Sequence, residues 1–135
     1  MKRTPLRRKS KSPLAKKKDR LWELCKQITR KRHGYNCYTC GTYSPAPHTG
    51  HFITDSTCST ELSYSLDNLR PQCYACNIHK SGNWVVFEDN LKRDMGDDFP
   101  TLLKKRNQET KGLMYREDWY DQKIAEYEKI LVELG

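Results

Sequence analysis

"GHFITDSTCSTELSYSLDNLRPQCYACNIHKSGN" (residues 50–83) decides the reading of this chain, because it holds two of the four histidines and three of the six cysteines. Cys73 and Cys76 form a CxxC pair. Cys37 and Cys40 form another upstream, with Gly41 directly after it. Two residues between thiolates let a tight turn aim both sulfurs at one ion, and two such pairs complete the tetrahedron that structural zinc prefers. Neither pair lies in the strand-to-helix setting of a redox CxxC. The 32 residues between the pairs exceed a minimal zinc ribbon, so the metal is expected to staple a functional insert at its base. Cys25 and Cys58 fall outside the pairs and read as ordinary thiols.

Composition supports a metal staple. The chain has 135 residues, 36% hydrophobic and 31% charged, with a mean hydropathy of −0.95. That length suits one domain with an extension, and the apolar supply is thin for its core. Zinc sites of this kind contribute about 10 kcal/mol of folding free energy, enough to replace missing core. No apolar run reaches the roughly 18 residues that span a bilayer, and no apolar stretch follows the charged N-terminus as in a signal peptide. A cytoplasmic protein is expected, without a membrane partner, and in such a reducing setting CxxC pairs favour metal over disulfides.

The net charge of +8 is unevenly placed. Residues 1–20 hold ten basic residues against Asp19 alone, while the remainder has 15 basic and 16 acidic residues. Residues 1–18 read as a disordered basic arm that grips a polyanion by releasing its counterions, with Arg3, Arg7, Arg8, Lys9, Lys16, Lys17 and Lys18 as DNA contacts. A solubility tail or targeting peptide is the plainer alternative. From residue 19 to 135 the chain reads as one folded domain. Leu21, Trp22, Leu24, Cys25 and Ile28 recur at helical spacing, with Asp19 placed to cap the helix and Gly34 to end it. His33 stands at that end as a dipole-complementing residue.

Phe52 and Ile53 in "HFIT" suit a short strand, and "LSYSLDNLR" suits a second, giving a hairpin-like pair. "QCYACNIHKSGN" begins as a helix and stops at Ser81-Gly82-Asn83. A helix is expected within "WVVFEDNLKRDMG", and two more after Pro100. The last runs from Trp119, with Tyr120, Ile124, Tyr127, Leu131 and Leu134 in steps of four and three. It reads as a packing helix, too short for a coiled coil.

The order Cys37, Cys40, His51, Asn68, Cys73, Cys76, Asn77, Lys80 resembles the HNH endonuclease superfamily. Within it, "GHF", "NLRPQC" and "CNIHKSGN" look most like the NinG (Rap) family of phage recombination endonucleases. The resemblance covers roughly residues 35–92. It implies an α+β fold, a small zinc-stapled ββα-metal (HNH, His-Me finger) core with flanking helices, and a metal-dependent endonuclease acting on branched intermediates such as Holliday junctions or D-loops in a phage-infected bacterial cell. By the same resemblance His51 is the general base, Asn68 positions it or ties its loop, and Asn77 ligates a catalytic Mg2+ or Mn2+. Lys80 is a candidate phosphate contact. Many members carry a metal ligand immediately before the base, where this chain has Gly50. His48 is the candidate replacement, with Asp55 and Asp67 behind it and His79 as a further possibility. Enzymes of this kind often work as dimers, and the last helix is one possible interface. The main competitor is a non-catalytic zinc-finger nucleic-acid-binding protein, in which His51 is structural. A scaffold that recruits a recombinase through its last helix is a third reading.

Overall fold

The computed structural model describes residues 10–135. Arg3, Arg7, Arg8 and Lys9 of the expected arm lie outside the described residues. The first helix, α1 (Pro13–His33), starts six residues before Asp19. The Ser12 hydroxyl accepts from the Ala15 amide, and Pro13 fits the first turn because its missing N–H is unpaired there anyway. Asp19 is therefore no cap: it lies within the helix and pairs with Lys11. Residues 13–18, expected to be disordered, are helical. The other end falls where expected: Gly34 takes a positive φ of 80° and its amide closes on the Arg30 carbonyl.

The fold is α+β and rich in helix, with a two-stranded antiparallel sheet. Strand β1 (His48–His51) pairs with β2 (Leu69–Gln72) in the register His48↔Gln72, Gly50↔Arg70 and His51↔Leu69. The strand thus precedes Phe52 and Ile53 instead of containing them, since Phe52 turns into the core. Between the strands lie α2 (Thr60–Ser63) and one 3-10 turn (Leu66–Asn68), pieces too short for a periodic signal. After β2 comes a single π-helical turn (Ala75–His79). Ser81, Gly82 and Asn83 all take positive φ and break the chain there. Helix α3 (Trp84–Met95) starts at once, followed by α4 (Phe99–Thr110) and α5 (Glu117–Leu134).

Two cores flank the hairpin. Leu21, Leu24, Cys25 and Ile28 of α1 pack on Tyr120 and Tyr127 of α5, with Leu69 from β2. Phe52, Leu62, Phe87, Leu91 and Leu103 form the second, under α2, α3 and α4. The apolar stripe of α5 is thus buried against α1, and Lys17–Asp121 at 2.9 Å and Arg20–Glu128 at 3.2 Å border the seam. The helix packs by its period, with Tyr120 and Tyr127 buried, Ile124 and Leu131 partly buried and Leu134 exposed. No helix among the described residues is long and apolar enough to cross a membrane.

Candidate active site

The hairpin and the turns beside it bring the four paired cysteines together. The sulfurs of Cys37, Cys40, Cys73 and Cys76 all lie within 4.8 Å of one another, and Cys40 and Cys73 are 3.6 Å apart. A tetrahedron with metal–sulfur bonds of about 2.3 Å has edges of about 3.8 Å, so the set fits zinc. The amides of Cys40 and Cys76 point at the sulfurs of Cys37 and Cys73, at 3.5 and 3.4 Å. Such donors stabilise thiolate charge. Cys25 and Cys58 stand apart. Burial pushes the Cys25 thiol up to about 12, and burial with the nearby Asp55 charge pushes Cys58 up to about 11, so both are protonated and inert at neutral pH.

Gln72, one residue before Cys73, links this knuckle to β1. Its buried amide donates to Thr39 Oγ1 at 3.2 Å, between the first two cysteines, and to the Gly82 carbonyl at 2.8 Å. Its Oε1 lies over Gly50, where an added Cβ would meet it at 2.0 Å. Gly50 is therefore required by close packing. Gly50→Ala is expected to cost about 1–3 kcal/mol, read as a lower melting temperature, because Gln72 cannot withdraw without losing both bonds. An unchanged melting curve would show that Gln72 is not fixed.

His51 ends β1. Its side chain is 12% exposed, and Nε2 lies 3.0 Å from the Ser63 carbonyl and 3.8 Å from Asp55 Oδ1. A carbonyl only accepts, so Nε2 carries the proton and Nδ1 keeps its lone pair. The ring stacks on Trp22 of α1, with centroids 5.2 Å apart and planes 6° from parallel. Burial lowers the His51 pKa below the ordinary imidazole value, against the Ser63 carbonyl and Asp55, which raise it. The ring is neutral at pH 7. Beside it is a cavity of about 230 Å³, lined by Lys18, Asp19, Trp22, His51, Asp55, Ser63 and Tyr64.

Asn68 is fully buried, and its hydrogen bonds do not go to the His51 ring. It ties the loop instead: Oδ1 accepts from the Ile53 amide at 2.8 Å, and Nδ2 donates to the carbonyls of Ile53 and Leu62. The buried Arg70 braces the same turn through the carbonyls of Leu66, Asp67 and Leu69. Asn77 meets His48, not His51, and its Nδ2 donates to His48 Nδ1 at 2.9 Å. This pair lies in a second cavity of about 310 Å³, together with Trp22, Lys26, Arg30, Ala46, Pro47 and Thr49. Trp22 walls both cavities. His79 packs edge-on to Tyr74, Asp55 accepts from Ser63 Oγ, and Asp67 pairs with Arg106 at 3.2 Å. Of the expected DNA contacts, Lys16, Lys18 and Lys80 are exposed, while Lys17 is held by Asp121.

Sequence reasoning missed the role of Trp22 against His51, because the indole falls on the same helical period as the core. Its only signal was position: it lies at the edge of the apolar stripe, four residues from Lys18 and four from Lys26.

A family model described as "Bacteriophage Lambda NinG protein" matches residues 2–134. "Protein ninG" of Escherichia phage 933W and of Escherichia phage lambda are each 35% identical over 63 residues, 46% of this chain and 31% and 30% of theirs. "Protein ninG" of Salmonella phage P22 is 36% identical over 61 residues, 44% of this chain and 30% of its own. The matches thus span under a third of the length of these relatives. No solved structure matches the chain.

Proposed function

Because the chain belongs to the family of the bacteriophage lambda NinG protein, we propose that it is an HNH-type DNA endonuclease with a ββα-metal core, hydrolysing phosphodiester bonds in branched recombination intermediates. The observation that carries this reading is His51: a buried neutral imidazole whose Nε2–H is fixed on the Ser63 carbonyl, leaving the Nδ1 lone pair as a base. In this mechanism Nδ1 takes a proton from water, the hydroxide attacks the scissile phosphorus, and the bond to the 3′-oxygen breaks. The Ser63 carbonyl and Asp55 stabilise the imidazolium formed. Asn68 and Arg70 hold the strand end so that the ring is positioned before substrate arrives.

A divalent ion such as Mg2+ or Mn2+ would supply charge stabilisation at the phosphate. His48 and Asn77 would be the residues to hold it, and to do so they would have to open the hydrogen bond in which His48 Nδ1 accepts from Asn77 Nδ2. They would offer an imidazole and an amide without the carboxylate through which Mg2+ is usually bound, so substrate phosphate oxygens and water would have to complete the ligand set. That missing carboxylate favours the second reading, a zinc-finger module that binds DNA without cutting it, in which His51 only packs on Trp22.

The two readings part in one assay. Purified protein with Mg2+ or Mn2+ is given a four-way junction and a linear duplex of matched sequence. Cleavage of the junction alone is the expected result; tight binding of both without turnover under either ion would transfer the assignment to the binding module.

A further inference from the structure

Helix α1 presents a row of side chains that the proposed chemistry does not use. Lys18, Trp22, Lys26 and Arg30 are each four residues apart and form one ridge along the helix. The ridge borders both cavities: Lys18 and Trp22 line the one beside His51, and Trp22, Lys26 and Arg30 line the one that holds His48 and Asn77. At about 1.5 Å per residue it runs about 18 Å, the axial rise of about five nucleotides of one strand.

The charge along the ridge is uneven in a useful way. The His48 cavity has two cationic side chains and no acidic residue in its lining. Lys26 pairs with Glu23 of the same helix at 2.8 Å, a carboxylate whose charge also interacts with Arg30. Arg30 makes only a long 3.5 Å bond to the Pro47 carbonyl, and its Nε is buried with no hydrogen-bond partner among the described residues. A buried guanidinium nitrogen without an acceptor is costly, and a phosphate oxygen is the acceptor whose geometry a guanidinium matches best. The His51 cavity is more mixed, with Asp55 and Asp19 facing Lys18 and Asp19 already paired with Lys11.

We propose that this ridge is the track for the DNA backbone, and that Lys26 and Arg30 each hold a phosphodiester of the strand whose scissile bond lies beside His51. This assignment rests on the proposed DNA substrate but not on cleavage. It moves the main contacts from the leader to the wall of the site, so the strand is held in register with the base.

The test is binding of a four-way junction, without added divalent ions, across a range of salt. Lys26→Gln with Arg30→Gln is expected to reduce the salt slope by about 1.8, at about 0.9 per phosphate contact, and to weaken binding at least tenfold. Lys111→Gln with Lys129→Gln removes the same charge from exposed positions elsewhere and is expected to change affinity less than threefold. An unchanged slope in the first pair, or an equal loss in the second, overturns the track. Zinc content and the melting curve check folding. If Arg30→Gln lowers the melting temperature, Lys26→Gln alone carries the test, with an expected slope loss of about 0.9. A slope loss in a protein that never cuts would uphold the track and leave only the nuclease reading to fall.

Discussion

His51→Ala is expected to lower junction cleavage at least about a hundredfold, the lower end of what a general base contributes, with DNA affinity and zinc content unchanged. The ring makes one polar contact to backbone and one stack on Trp22, so its loss leaves the cysteine cluster and the basic ridge intact. Cleavage retained near the original rate would remove His51 as the base. The pH profile gives a second check. Only the unprotonated ring accepts a proton, and burial lowers its pKa. The acidic limb of kcat/KM should therefore fall below the ordinary imidazole value of about 6.5, with activity kept as pH drops through that value and lost beneath it. A limb at or above 6.5 would place the ring in open solvent or assign the limb to another group.

Metal removal should have the largest effect on the fold. Zinc in a four-cysteine site contributes on the order of 10 kcal/mol or more, comparable to the whole stability of a small domain. The two cores here are small and separated by the hairpin. Cys73→Ser, or a strong chelator at neutral pH, is expected to abolish the cooperative thermal transition or lower its midpoint by tens of degrees. An unchanged melting curve would refute the staple. Cys58→Ser serves as the control, since that thiol stands apart from the cluster, and should move the midpoint by a few degrees at most.

Much of this site was legible as spacing. The CxxC pairs, the Gly34 stop, the Ser81-Gly82-Asn83 break and the stripe of α5 each rest on local chemistry, and each lies where local chemistry puts it. The family resemblance offered Asn68 as a residue that positions His51 or ties its loop, and its hydrogen bonds run to the loop. The start of α1 was misread because the basic residues of 13–18 were taken as leader, although Ser12 and Pro13 carry a cap. Three features belong to packing between distant segments and leave no local pattern. Trp22 stacks on a residue 29 positions away; Gly50 is dictated by Gln72 across the sheet; and Asn77 turns to His48 because both sides of the pairing depend on how the turn after β2 lies on β1.

The seam between α1 and α5 sets an order in time. Helix α1 walls both cavities, yet its own apolar face is covered by residues 117–134, which leave the ribosome about a hundred positions later. Contacts so far apart in sequence form slowly and late. While α5 is still being synthesised, α1 has no partner for Leu21, Leu24 and Ile28, and Trp22 has no fixed place against His51. Strand β1 and the cysteine knuckle are translated early, but their wall docks only when α5 arrives, so a nascent chain that stalls before residue 117 holds His51 without the packed helix that lines its cavity.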